Sequence, residues 1–104
     1  MITAVFYKKG SHFSGFRVSG HAGYADYGYD IVCASVSSAV QLSANLITES
    51  FGVKADADAV NDTVTLKIAE TCEEASKIIG GLKTHLELLS EEFESTIITK
   101  ISEV

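Results

Sequence analysis

The 104-residue chain has no proline, no tryptophan and two cysteines, and only 8 of its residues are Lys or Arg. With 46% hydrophobic and 21% charged residues, it reads as one globular domain over 1–104, not as a disordered chain. It has no Cys-x-x-Cys and no His-x-x-x-His, which argues against a structural zinc site. Two cysteines without a secretory context favour free thiols over a disulfide. The start Met1-Ile2-Thr3-Ala4-Val5 lacks a basic region ahead of an apolar run, so no signal peptide is expected. No stretch approaches the roughly 18 consecutive apolar residues of a membrane span. The expectation is a cytoplasmic protein with no membrane partner. A net charge of −6 argues against a phosphate-backbone binder, so no direct nucleic-acid partner is expected. An acidic chain suits a basic protein partner instead.

What is present is alternation and helical periodicity. Ile2, Ala4 and Phe6 alternate with Thr3, Val5 and Tyr7, and Phe13 to Ser19 repeats the pattern with Phe16 and Val18 inward and Arg17 outward. The turn at Gly10 makes them a hairpin. Asp30 is a good N-cap, which predicts a helix from Ile31 to about Ser50 with Cys33 at N3 and a stop at Gly52. Val53 to Ala59 and Val64 to Ile68 alternate around an Asn61-Asp62 turn. Thr71 and Glu74 fit a capping box for a second helix, whose stripe runs from Ala75 to Phe93. Gly80-Gly81 inside it suggests close approach of another backbone, such as a partner subunit. Ser95 to Ser102 predicts a last strand. The order is β-β-α-β-β-α-β, an α+β fold in which an antiparallel or mixed sheet packs with two amphipathic helices.

The chemistry concentrates between Gly20 and Ser37. Cys33 is a candidate nucleophile and His21 a candidate base. An ordinary thiol of pKa about 8.5 is only a few per cent thiolate near pH 7. A helix first turn and a nearby imidazolium both favour the thiolate. His21 would take the thiol proton and return it to the leaving amine. Asp30 either caps the helix or orients His21, and the residues leave that choice open. Ser37 lies one helical turn beyond Cys33 and either supports the site or bonds back to its own helix. Gly20, Tyr24, Tyr27 and Gly28 suit either a substrate-binding loop, with 22–29 as a lid, or a surface loop whose tyrosines lie on their own core. Against these stands the reading of Cys33 as a small core residue, the usual fate of a free cysteine; Cys72 reads as structural on the same ground.

The run Gly20-His21-Ala22, then Tyr27-Gly28-x-Asp30-Ile31-Val32-Cys33-Ala34 and Ser37, resembles the signature of the ribosomal-processing cysteine protease family Prp. Length, element order and acidity agree with it over nearly the whole chain. Ser35 departs, standing where relatives often have Ala or Gly. The resemblance implies a cysteine endopeptidase with a His21–Cys33 dyad and no cofactor. It further implies a homodimer acting on a basic ribosomal precursor, the twenty-seventh large-subunit protein with its N-terminal extension. The alternatives are a non-catalytic ribosome-associated binding module and, more remotely, a metal site built from His12, His21 and Cys33.

Overall fold

The computed structural model describes residues 1–20 and 28–104, the side chains of 28–30 excepted. The elements are β1 (Ile2–Lys9), β2 (His12–Gly20), α1 (Gly28–Asn45), β3 (Ala55–Val60), β4 (Thr63–Ile68), α2 (Glu73–Glu92) and β5 (Ile97–Glu103). A π-helical segment, Leu46–Ser50, extends α1, and the helix ends at its C-cap Phe51 before Gly52, whose φ of +64° suits glycine.

The strands form one sheet in the order β3-β4-β2-β1-β5. All neighbours are antiparallel except β1 and β5, which are parallel, so the sheet is mixed. Alternation then decides the faces. Ala4 and Phe6 of β1, Phe16 and Val18 of β2, and Leu66 and Ile68 of β4 are buried in one cluster. Val32, Val36, Val40 and Ile47 from the first helical stretch join it, as do Ala75, Ile79, Leu82 and Leu86 of α2. Both helices therefore cover the same face, and no described element covers the other.

The β1–β2 ladder is regular from Ile2↔Gly20 to Tyr7↔Gly15, and its next pair is Lys8↔Phe13. Ser14 is thus the extra residue of a β-bulge. The bulge turns Phe13 onto the core side, where its ring meets Phe6 edge-on at 6.4 Å. Asn61 and Asp62, with φ of 50° and 62°, make the tight β3–β4 turn.

Several expectations are corrected. α1 begins at Gly28, so Asp30 is its third residue and not its N-cap. A cap preference is worth only about 1 kcal/mol and does not stop a helix from starting earlier. At α2 the N-cap is Cys72, extended at φ −147° and ψ 163°, with no side-chain cap bond. Thr71 lies one residue outside, and the expected capping box does not form. A Cβ on Gly80 would meet only the Phe13 ring at 3.5 Å, and one on Gly81 would meet nothing within 4 Å. Neither glycine is needed for backbone approach among the described residues.

Ile31–Ser50 is long and apolar enough by composition to cross a membrane. One face of it, Val32, Val36, Val40 and Ile47, is buried against the sheet, while Ile31 and Leu42 on its other side are exposed.

Candidate functional site

Cys33 is half-buried on α1 and packs against the margin of the core. It lines a cleft of about 540 Å³ between α1 and one end of the sheet. Helical spacing sets Val36, Ser37 and Val40 beyond it on the same wall. Ser19 and Gly20 at the end of β2 form a second wall, and the β3–β4 turn from Ala59 to Val64 forms the third.

The topology brings these walls together. β4 pairs with β2 so that Thr63 lies opposite Ser19, and the Gly20 N–H donates to the Asp62 carbonyl at 3.3 Å. Nothing in the local residue pattern around Cys33 announces the β3–β4 contribution. The signal lies in pairing a distant hairpin with β2, which periodicity alone does not specify.

Gly20 is held by geometry. Its φ is +92°, and a Cβ there would lie 2.5 Å from the Met1 carbonyl oxygen. Only glycine closes the end of β2 in this way, directly before His21 in sequence.

Cys33 is the sixth residue of α1. The helix dipole acts mainly on the first turn, and only the first four N–H groups lack helical partners. The expected help to the thiolate from an N3 position therefore falls away, as does the use of helix-start N–H groups at the thiol. Among the described lining residues there is no Lys, Arg or His, and the acidic one is Asp62. Any positive charge favouring a thiolate must come from outside that set.

Ser37 is exposed and makes no hydrogen bond among the described residues, unlike Ser35 and Ser43, whose hydroxyls donate to the Ile31 and Ala39 carbonyls. Its hydroxyl is unspent at the cleft. Of the other sequence candidates, Gly20 lines the cleft, while Gly28 and Asp30 lie in the first turn of α1. His21, Tyr24, Tyr27 and most of the 22–29 lid lie outside the described residues.

Cys72 is a half-buried free thiol at the start of α2 and is not among the residues lining this cleft. His12 begins β2 at the end opposite Gly20. Eight residue steps at about 3.3 Å per step put it roughly 26 Å from the cleft end. His12 therefore cannot join Cys33 in a metal site, and no metal-binding cluster occurs among the described residues.

Solved structures share this fold. A ribosomal processing protease Prp from S. aureus, in complex with a covalently linked product peptide, superposes with a TM-score of 0.88 at 24% identity, covering 98% of this chain and 100% of that one. SMU.848 from Streptococcus mutans superposes with a TM-score of 0.81 at 22% identity, covering 100% and 99%. No curated protein sequence matches. The profile of the family described as Cysteine protease Prp matches residues 1–98, nearly the entire chain. With a family match of that extent, and Cys33 on the wall of a cleft, the chain belongs to the Prp family of cysteine proteases.

Proposed function

We propose that this protein is an endopeptidase that uses Cys33 as nucleophile and His21 as its base. One observation carries the reading: Cys33 and Gly20 line the same cleft, and His21 follows Gly20 in the chain. His21 takes the Cys33 proton as the sulfur attacks the scissile carbonyl carbon. The tetrahedral intermediate collapses to a thioester, and the protonated imidazole returns the proton to the leaving amine. Water, deprotonated by His21, then attacks the thioester, releasing the carboxylate product and restoring the thiol. No cofactor enters these steps.

The substrate is the N-terminal extension of the twenty-seventh large-subunit ribosomal protein precursor, and its removal supports ribosome assembly in the cytoplasm. The family match supports a peptidase, and the S. aureus protease with its covalently linked product peptide supports a peptide as ligand. The apolar walls of Val36, Val40 and Val64 suit an apolar side chain beside the cut. An acidic chain suits the basic body of such a precursor.

The working unit is a homodimer. A second groove, of about 800 Å³, runs between α1 and α2, lined by small residues such as Ala34, Ser38 and Gly81 and by the 60%-exposed Leu42. Gly81 lines it, and a Cβ there would meet nothing within 4 Å among the described residues, which leaves that wall shallow enough for a close approach by another copy. The experiment is incubation of the purified protein with the precursor, with and without its extension. A product shortened at one internal bond, from the extended form only, supports the reading, and an intact precursor refutes it. Sedimentation velocity checks the dimer.

A further inference from the structure

The open face of the sheet carries four of the chain's eight Lys and Arg residues. Alternation sets Val5, Tyr7 and Lys9 of β1 on this side, because Ala4 and Phe6 are buried on the other. Register adds Arg17 on one flank of Val5 and Lys100 on the other, with Lys67 opposite Gly15. On β1, β2, β4 and β5 this face has no acid, since Glu103 pairs with Lys8 on the opposite parity. Asp56 and Asp58 border it on β3, with Asp56 opposite Lys67.

Tyr7 stands at the centre. Its direct cross-strand neighbours are Gly15 and Ser102, too small to cover a phenol ring. The bare flank is fixed, because a Cβ on Gly15 would lie 2.3 Å from the Leu66 carbonyl oxygen. Arg17 and Lys100 occupy the diagonals, about 7–8 Å away, and Lys9 lies two residues further along β1. Lys9, Arg17, Lys67 and Lys100 are exposed, and none is ion-paired among the described residues; the pairs found there, Lys77–Glu73 and Lys83–Glu87, both lie on α2.

We propose that this open face binds single-stranded nucleic acid, with one base stacked on Tyr7 and phosphates at Lys9, Arg17 and Lys100. Flat sheet faces recognise single strands by this combination of an aromatic platform and surrounding cations. An acidic peptide would satisfy the cations but leave the bare flanks of the ring unfilled. The net charge of −6 does not forbid it, because charges beyond a Debye length of about 8 Å are screened at physiological salt. The acids of α2 lie on the far side of the sheet. The inference does not depend on proteolysis, since the Cys33 cleft opens on the helix side.

The test is fluorescence anisotropy of a labelled 12-nucleotide oligouridine titrated with the full chain between 50 and 200 mM salt. Neutralising three or four phosphates predicts a log–log salt slope of about −2 to −3. Arg17→Gln with Lys100→Gln should weaken binding at least about tenfold, by removing two of those contacts. Tyr7→Ala should weaken it on the order of tenfold, and Tyr7→Phe should bind like the parent. Thermal melts confirm that each variant folds. No binding at millimolar protein would overturn the proposal, as would binding unaffected by the charge-neutralising pair. Equal binding of an oligoglutamate peptide, indifferent to Tyr7→Ala, would assign the face to acidic peptides and also overturn it.

Discussion

Replacing Gly20 with Ala tests whether the end of β2 is built as described. At φ +92° an added Cβ brings a left-handed penalty of about 1–2 kcal/mol. The same Cβ would lie 2.5 Å from the Met1 carbonyl oxygen, well inside contact distance. Met1 is chain-terminal, but its carbonyl shares a peptide plane with the Ile2 N–H, which donates to the Thr96 carbonyl at 2.8 Å. Tilting that plane to relieve the clash weakens this bond, worth about 0.5–1.5 kcal/mol, and disturbs Ile2, which is buried. The total is about 2–4 kcal/mol, or a fall in melting temperature of roughly 10–20 °C for a domain of this size. Gly10→Ala is the control: its φ is +64° but nothing lies within 4 Å, so it should cost only about 1–2 kcal/mol. Thermal and urea unfolding by circular dichroism measure both, and cleavage at a temperature where Gly20→Ala is folded measures the site. A Gly20→Ala protein as stable as Gly10→Ala would refute the contact argument. Full activity in the folded variant would refute the idea that this closure positions the chain entering His21.

Other outcomes follow from the same geometry. Ser37→Ala should slow cleavage about threefold to tenfold, the worth of one hydrogen bond, and leave the melting temperature unchanged, because the hydroxyl has no partner among the described residues. An unchanged rate would remove Ser37 from the site. Cys33 should be alkylated faster than Cys72 at pH 7, since it lines the cleft that His21 is proposed to serve, and peptide mapping after brief iodoacetamide exposure reads the ratio. Equal labelling would favour an inert thiol. Leu66→Ala should lose about 2–5 kcal/mol in urea unfolding, because the side chain is fully buried at the centre of the core. A loss below 1 kcal/mol would contradict the sheet register that puts Leu66 inward.

Residues with one strong local preference are legible in the sequence. The alternation in β1, β2 and β4 put Phe6, Phe16 and Leu66 on the core side, where they are buried, and the stripe of α2 put Ala75, Ile79, Leu82 and Leu86 inward. Helix starts are less legible. Asp30 and Thr71 are each good caps in isolation, yet the helices begin at Gly28 and Glu73, since a cap of about 1 kcal/mol is outweighed by packing of the whole element. Strict alternation puts Phe13 outward with Arg17, and no local pattern announces the bulge at Ser14 that turns it inward. The parallel β1–β5 pair and the β2–β4 pair join residues far apart in sequence, and no local pattern encodes them. That is why Cys33 stood out from sequence while the hairpin wall of its cleft did not. The resemblance in the Gly20–Ser37 segment carried the family, and the geometry corrected where Cys33 sits on its helix.

The most direct test of the account is intact-mass analysis of the extended precursor after incubation with the parent protein, Cys33→Ala and His21→Ala. Each variant is first shown to melt like the parent. The account predicts a single shortened product with the parent protein. It predicts no product with Cys33→Ala and, since general acid–base catalysis typically contributes about 10²–10⁴-fold, at most a trace with His21→Ala. A folded Cys33→Ala protein that still cuts the precursor would contradict the assignment of the nucleophile, and full activity in His21→Ala would contradict the dyad.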